Sequence, residues 1–342
     1  MRRNFTAVAV ICALFAILVP TRFAEAKTLK MYIPNAYVKE SQQAQGFQAA
    51  VDQIKKDTDG RVAIKIYYGG QLCGSYEDAI DECRNGTIDL AATWPTKKYD
   101  KRFDLLNLPC FAPLGYKQYG EIMFSKNSIV PDFMNKVMTE VGVTSIGGFP
   151  ECYTTYSFAK GKRPKDFNGF NKKNRSLRVP GMPPYRDAAA AMGYQTVTMD
   201  SSEMWNAMQT GQVDGGAASP LEECWFLGRD IVKHIDYNKF CCPPTWIICN
   251  NELWASFSAD DQKAIIKNFY DSSMKVLANL EKKEAEYMAN FKKIGTEIHT
   301  YSDEEIYKLH TELRKKVWPN YYEAIGEEFL RKLDKQVSSM KP

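Results

Sequence analysis

Arg178 is the residue of first interest in this sequence. It stands in the run Ser176-Leu177-Arg178-Val179, directly before Pro180-Gly181-Met182-Pro183-Pro184. That order predicts a strand end beside a tight turn and a helix start. A guanidinium held there presents a rigid planar fork that can grip one carboxylate through two parallel hydrogen bonds. The competing reading for a lone arginine is a surface or interlobe salt bridge, and on the residue alone that reading is the stronger one. Other groups fall in segments expected to reach the same place. Asn35 follows the first strand, Trp94 sits in the loop Thr93-Trp94-Pro95, Glu151 and Tyr153 come just after the strand 144–148, and Trp205 lies on a helix. These five extend the candidate pocket by position alone. Ordinary packing is the alternative for each, and for Trp205 it is an equal or better one.

Such a set offers binding rather than conversion. No G-x-S-x-G, H-E-x-x-H, Walker-type loop or G-x-G-x-x-G occurs, and the three histidines, His234, His299 and His310, leave little for general acid–base work. Glu151 is the one nominee for a perturbed catalytic carboxylate, so a secreted enzyme is the minority reading. One cation among several aromatics is the composition of a small-anion site. No metal or cofactor is expected, because there is no C-x-x-C and the histidines show no ligand spacing relative to the cysteines.

The elements that must carry these residues follow from periodicity and breakers. Around Arg178 the sequence predicts a helix from about Tyr185 to Met192, a strand from Gln195 to Met199, a helix from Ser202 to Thr210 stopped by Gly211, and a strand from Val213. Earlier in the chain, Leu29 to Ile33 reads as a strand and Ser41 to Asp57 as an amphipathic helix. Val62, Ile64 and Ile66 alternate with Ala63 and Lys65 as a strand, Ser75 to Arg84 reads as a helix, and Ile88 to Ala92 as a strand. Strands alternating with helices imply α/β lobes on largely parallel sheets, whose ligands bind beyond the carboxyl ends of the strands. An internal echo pairs the two halves. Ala79 to Asp89 and Trp205 to Asp214 each read as helix, Gly, polar residue, β-branched residue, then Asp leading into small residues. Helix–Gly–strand handovers are common, so the echo counts together with the length, which is too great for one core. The chain crosses between lobes first at 149–155 and returns within Asn238 to Asn250. A helix opened by Ser258 and Asp261 runs to about Lys293, roughly 50 Å at 1.5 Å per residue, long enough to lie along both lobes. Helices at Ser302–Trp318 and Tyr321–Lys335 close the chain.

Met1 to Ala26 carries Arg2 and Arg3, an apolar run from Phe5 to Val19 and an Ala24-Glu25-Ala26 site, the pattern of a secretory signal peptide cleaved before Lys27. The run is shorter than the roughly 20 apolar residues a membrane-spanning helix needs. Ile11 rather than a small residue precedes Cys12, so a lipoprotein is not expected. With 45 Lys and Arg against 41 Asp and Glu there is no electrostatic case for nucleic acid or an anionic membrane surface. Eight cysteines follow the signal, at 73, 83, 110, 152, 224, 241, 242 and 249. Their spacing is not that of a small stapled scaffold. Cys73 and Cys83, at the two ends of the helix predicted from Ser75, would be more than about 10 Å apart and are not expected to pair.

The stretch from Ser176 to Pro220 resembles the substrate-binding proteins of tripartite ATP-independent periplasmic (TRAP) transporters, the DctP-like family. The residues that carry the likeness, in order, are Leu177 to Pro180, Tyr185 to Gly193, Ser202 to Gly215 and Ser219 to Leu221, with a weaker match at Tyr67 to Ala91. The resemblance implies a two-lobed α/β periplasmic binding protein fold, a ligand cleft between the lobes and one long helix spanning both. It implies lobe I at 27–149, lobe II at 150–238, a return to lobe I at 239–280 with the first part of the long helix, and C-terminal helices at 281–342 packing on lobe II. It places the carboxylate-clamping arginine on Arg178. A second arginine of many members falls on Cys152, an aromatic on Ser201 and a ligand-contacting asparagine on Ser219, so neither a sialic-acid-like nor a simple C4-dicarboxylate specificity is carried over. With Cys152 in place of a cation and Glu151 beside it, the expected ligand is a monoanion or zwitterion rather than a dianion. The partners implied are a small organic anion and a small and a large membrane permease subunit, with no cofactor. An extracytoplasmic ligand sensor is the alternative.

Overall fold

The computed structural model describes residues 28–34, 39–68, 71–112, 114–125 and 127–340. The expected signal peptide with its cleavage point, and Asn35, lie outside the described residues.

Two mixed sheets form the two lobes. The first is built from β1 (Thr28–Ile33), β2 (Ala63–Tyr68), β3 (Leu90–Thr93) and β4 (Thr144–Phe149), joined late in the chain by β10 (Thr245–Cys249), in the order β2-β1-β3-β10-β4. The second contains β5 (Thr154–Phe158), β6 (Ser176–Val179), β7 (Gln195–Thr198), β8 (Gly215–Pro220), β9 (His234–Cys241) and β11 (Glu297–Thr300), in the order β11-β9-β5-β8-β6-β7. Each sheet is parallel but for one strand. β10 runs antiparallel to β3 and β4, and β5 antiparallel to β8 and β9. Those are the two strands that follow the short crossings from the other lobe, whereas β11 arrives along the helix Ala259–Lys293. The crossings are only Pro150–Tyr153 and Cys242–Pro244.

Helices cover the sheets. Around the first are α1 (Gln42–Asp57), α2 (Ala79–Arg84), α3 (Tyr116–Met123) and α4 (Ile129–Glu140); with the second go α5 (Pro183–Ala191), α6 (Ser201–Thr210) and α7 (Leu221–Gly228). In α1, Ser41 caps Ala44 N–H, and Ala44, Phe47, Ala50, Val51 and Ile54 form one buried stripe. The short α8 (Asn251–Ser256) precedes α9 (Ala259–Lys293). Ser258 caps α9, Asp260 and Asp261 sit in its first turn, and Lys292 and Lys293 in its last, complementing the dipole at both ends. Its 35 residues touch α1 and β4 in the first lobe and α7 and β11 in the second. No helix among the described residues is long and apolar enough to cross a membrane.

The chain ends with α10 (Asp303–Val317), opened by a Ser302/Glu305 capping box, and α11 (Glu327–Ser339). Between them Trp318–Tyr321 is a 3-10 turn and Tyr322–Gly326 a π turn, where the sequence predicts an uninterrupted helix from Tyr321. Gly326, at φ +114°, takes up the break. These helices touch both lobes. α10 packs on α5 and β9, whereas Trp318 Nε1 donates to Pro109 O at 3.0 Å, Arg314 Nη1 to Cys110 O at 3.3 Å, and Phe329 stacks on Phe133. The helix predicted from Ser75 begins only at Ala79, after a turn at 76–78, because Tyr76 is engaged elsewhere through its carbonyl, which accepts from Thr93 Oγ1 at 2.8 Å. All eight cysteines from Cys73 onward are buried and unpaired.

The echo in the sequence is an echo in space. Asp89 takes the β1 Lys30 N–H on its Oδ2 at 2.7 Å and gives its own N–H to Lys30 O at 3.1 Å. Asp214 takes the β6 Ser176 N–H on Oδ2 at 2.9 Å and gives its N–H to Ser176 O at 3.0 Å. In both units the preceding glycine, Gly86 or Gly211, has φ near +75°. Register then sets Tyr32 beside Ala91 and Arg178 beside Gly216, so Tyr32 occupies in the first lobe the position of Arg178 in the second.

Candidate ligand-binding cleft

Arg178 lies on β6 between β7 and β8, with Leu177 and Val179 fully buried on the opposite face. The arginine is only 4% exposed. Its Nε donates to Met199 O at 2.9 Å. Among the described residues neither terminal nitrogen has a hydrogen-bond or ion-pair partner, so within them the fork is held only at its root. Burial lowers its pKa from the usual guanidinium value, and Glu223, Tyr76 and Asp200 work the other way. A salt bridge serving the fold would have put a carboxylate on the fork. The nearest acids act on it through the field alone.

Those acids are placed by helix starts. Asp200 precedes α6 without capping it through its side chain. Glu222 and Glu223 form the first turn of α7, directly after β8, where helix N-termini favour negative charge. Glu223 receives a hydrogen bond from Ser201 Oγ, and Glu222 receives one from Tyr287 OH of α9 at 2.8 Å. Glu151, in the first crossing, accepts from Thr245 Oγ1 at 2.8 Å, across the second crossing. Burial pushes the Glu151 carboxyl well above the ordinary range, and Glu222 and Glu223 push it further. Burial likewise raises Glu222 and Glu223, against which Ser201, Arg178 and Ser219 pull Glu223 back. Glu151, Glu222 and Glu223 thus form a buried acidic wall, of which Glu223 lies within electrostatic reach of the guanidinium, and burial disfavours the ionised form of all three.

From the first lobe, Tyr76 comes within electrostatic reach of Arg178 and Asp200. Trp94 packs edge-on against Tyr76, ring centroids 5.5 Å apart. Ser219 is fully buried at the end of β8, its hydroxyl on Met204 Sδ at 3.9 Å. Cys152 is buried too, with Gln43 Nε2 donating to its Sγ at 3.8 Å, and burial raises the thiol pKa, so it is no thiolate.

Tyr153 and Trp205 do other work. The Tyr153 hydroxyl donates to Ala112 O at 2.7 Å, and its N–H donates to Tyr116 OH and Glu284 Oε1 at 3.0 and 3.2 Å. Glu284 of α9 also receives Tyr237 OH, so Tyr153 belongs to a buried hinge network. The Trp205 ring fills the α6–α7 contact, where a Cβ on Gly228 would stand 2.1 Å from it. Tyr153 is held in the hinge, and Trp205 in packing, the alternative that its place on a helix already made an equal or better one.

Tyr76, Asp200, Glu222 and Glu223 escaped the reading of the sequence, as did Gln43, whose buried Oε1 has no hydrogen-bond partner among the described residues. Glu222 and Glu223 did leave a signal, two adjacent acids just after Ser219-Pro220. Tyr76 left none.

The comparisons agree with this geometry. The family described as bacterial extracellular solute-binding protein, family 7 (DctP) matches residues 35–324. The chain belongs to that family. A solute-binding protein of Roseobacter denitrificans is 23% identical over 259 residues, 72% of this chain and 73% of its own length. Among solved structures, a TRAP periplasmic solute-binding protein of Ralstonia eutropha, with bound (S)-2-acetolactate, is 21% identical at TM-score 0.76, covering 92% of this chain and 99% of its own. One from Desulfovibrio desulfuricans, with bound sn-glycerol-3-phosphate, is 22% identical at TM-score 0.77, covering 91% and 97%.

Proposed function

We propose that this protein captures a small organic acid outside the cytoplasm by closing its cleft and hands it to the membrane subunits of a TRAP-type transporter, and that the acid carries a cationic group as well as its carboxylate. Family membership supports the capture of a solute, and the relatives solved with organic anions support the acid. The observation that carries the charge class is that Arg178 lies in the field of Glu223, which together with Glu222 acts in turn on the buried Glu151. The fork, whose terminal nitrogens have no partner among the described residues, offers two donors to one carboxylate. A second carboxylate set against the acidic wall would be desolvated without a partner, whereas an ammonium or quaternary ammonium there would let the wall ionise. Closure follows from contacts split between lobes. Tyr76 and Trp94 approach from one side and Arg178 from the other, so the ligand stabilises the closed form by its differential affinity for it.

A thermal-shift screen tests this, with amino acids and betaines in one arm, monocarboxylates and sulfonates in a second, and dicarboxylates in a third. A ligand at 100 times its Kd stabilises by about 2.7 kcal/mol. Zwitterions are expected to give the largest shifts. Stabilisation by succinate-like diacids alone would overturn the charge class while leaving the transport reading standing, and no shift from any acid would overturn both.

A further inference from the structure

The edge of the second sheet brings together groups that the sequence keeps 60 residues and more apart. β11 lies parallel beside β9 in the register His234 to Glu297, Ile235 to Ile298 and Asp236 to His299. Side chains alternate along each strand, so His234, Asp236, Glu297 and His299 share one face as a two-by-two block, while Ile235 and Ile298 take the other. Asp236 is committed. Arg163 holds both its oxygens, Nε to Oδ2 and Nη2 to Oδ1 at 2.8 Å each, and Tyr301 OH adds a third bond.

The other three are not. His234 Nδ1 stands 3.2 Å and His299 Nε2 3.8 Å from the same oxygen, Glu297 Oε2. The two imidazoles lie nearly parallel, centroids 6.1 Å apart. Both nitrogens are shielded from solvent and have no hydrogen-bond partner among the described residues. A buried imidazole nitrogen left so costs free energy. All three ligand atoms lie within 4.8 Å of one another. Nitrogen and oxygen ligands bound at 2.0–2.2 Å around a tetrahedral zinc stand about 3.3–3.5 Å from each other, so two of the three separations are already near what one shared ion imposes.

We propose that His234, Glu297 and His299 bind one divalent transition-metal ion, with water completing its shell. Two imidazoles and a carboxylate suit zinc, copper or nickel, and they discriminate against magnesium and calcium, which take oxygen donors. Arg163, the nearby cation, is neutralised by Asp236 and does not occupy the site. The ion would tie β11, the strand that follows α9, to β9, the strand that leads into the return crossing. It lies on the outer edge of the sheet, and the proposal is independent of the ligand cleft.

The test uses the mature protein stripped with a chelator, titrated with Zn2+ by calorimetry and with Co2+ by visible absorption. One ion per chain is expected, with a spectrum free of thiolate-to-cobalt charge transfer, since the buried cysteines are the rival donors. His234→Ala and His299→Ala should each weaken binding by roughly tenfold or more. Glu297→Gln, at an exposed side chain that folding does not depend on, should weaken it while leaving the metal-free melting temperature in place. Absence of binding, a thiolate signature, or unchanged affinity in Glu297→Gln and His299→Ala would overturn the proposal.

Discussion

The unit β1-α1-β2-α2-β3 of the first lobe and the unit β6-α5-β7-α6-β8 of the second are the same construction. In both, the strand order is second, first, third, an αL glycine ends the second helix, and an aspartate locks the third strand to the first through the same two hydrogen bonds. What differs is what the shared positions carry. Where the first lobe has Tyr32, the second has Arg178. Where the first presents Tyr76 and Trp94, the second presents Asp200 and Glu223. The scaffold supplies two equivalent places beyond the carboxyl ends of parallel strands, and the chain has made one charged and the other aromatic. On the function proposed above, the second lobe would read a ligand's charge and the first would cover it.

The largest test of that division is at the position the lobes share. With a ligand from the screen in hand, Arg178→Ala should cost about 2–5 kcal/mol of affinity, on the scale of a buried charge losing its partner. Arg178→Lys should recover only part, since an ammonium has no planar fork. Tyr32→Phe, at the equivalent place, should leave affinity within a few-fold. Because no carboxylate among the described residues sits on the fork, the ligand-free Arg178→Ala protein should lose little beyond the hydrogen bond to Met199 O, about 1 kcal/mol. An Ala variant that binds within a few-fold of native, or that melts well below it without ligand, would return Arg178 to the role of a structural ion.

A second effect belongs to the hinge that joins the two regions. Glu284 is buried, and burial raises its pKa from 4.5 to about 7 against the hydrogen bonds of Tyr237, Tyr116 and Tyr153. The unfolded chain releases this proton near pH 4.5 and the folded protein near pH 7, so the folded state holds it longer. Stability should therefore fall as pH rises through that window, by about 3 kcal/mol from this group. Denaturant unfolding at a series of pH values reads the slope, and Glu284→Gln should flatten it. A slope that survives the substitution would place its origin elsewhere.

The matched aspartates come next. Asp89→Ala and Asp214→Ala each strand a backbone N–H at the start of a parallel pair, and each should cost about 1–3 kcal/mol of stability. Asp214 also meets Lys162 Nζ at 2.9 Å, with the lysine side chain 44% exposed, so solvent screens the pair. Chemical denaturation giving one large and one negligible loss would break the equivalence of the two units.

Much of this was legible in the sequence, for reasons that can be named. Ser258 with its acids, the glycine stops at Gly86 and Gly211 and the repeated aspartate are local signals, and local physics placed α9 and both units within a residue or two, save the start of α2, which falls four residues after Ser75. The strand predicted from Val213 starts at Gly215, since pairing with β6 begins only after Asp214 has bonded to Ser176. Arg178 was legible because a strand end before Pro-Gly is itself local. The acidic wall was not. Glu151, Glu222 and Glu223 come from a crossing and a helix start that only tertiary structure brings together, and Tyr153 looked like a cleft residue until its hydroxyl and N–H were both found in the hinge. The histidines at 234 and 299 meet through strand register, which no spacing in the chain encodes.

The smallest effect lies where the two units part. Counting from the matched aspartates, Ala218 on β8 stands where Thr93 stands on β3. Thr93 is ordinary extended backbone, whereas Ala218 has φ +80° and faces no partner across the register shift between Thr155 and Tyr156 of β5. It is the extra residue of a β-bulge, and it turns the chain so that Ser219, Pro220 and the acids of α7 reach the cleft. An L-residue in the left-handed region costs roughly 1–2 kcal/mol, and glycine escapes that cost while losing about 0.5–1 kcal/mol more to backbone entropy on folding. The balance favours glycine slightly, so Ala218→Gly should stabilise the protein by up to about 1 kcal/mol. Ala218→Thr, which installs the first lobe's residue, should destabilise it by about 1 kcal/mol or more, because a β-branched side chain is least tolerated there. Melting curves of the two variants, side by side, decide whether the bulge is strained. If Thr at 218 melts with the native protein, the two lobes diverge here without strain, and the turn toward the cleft must be set by α7 instead.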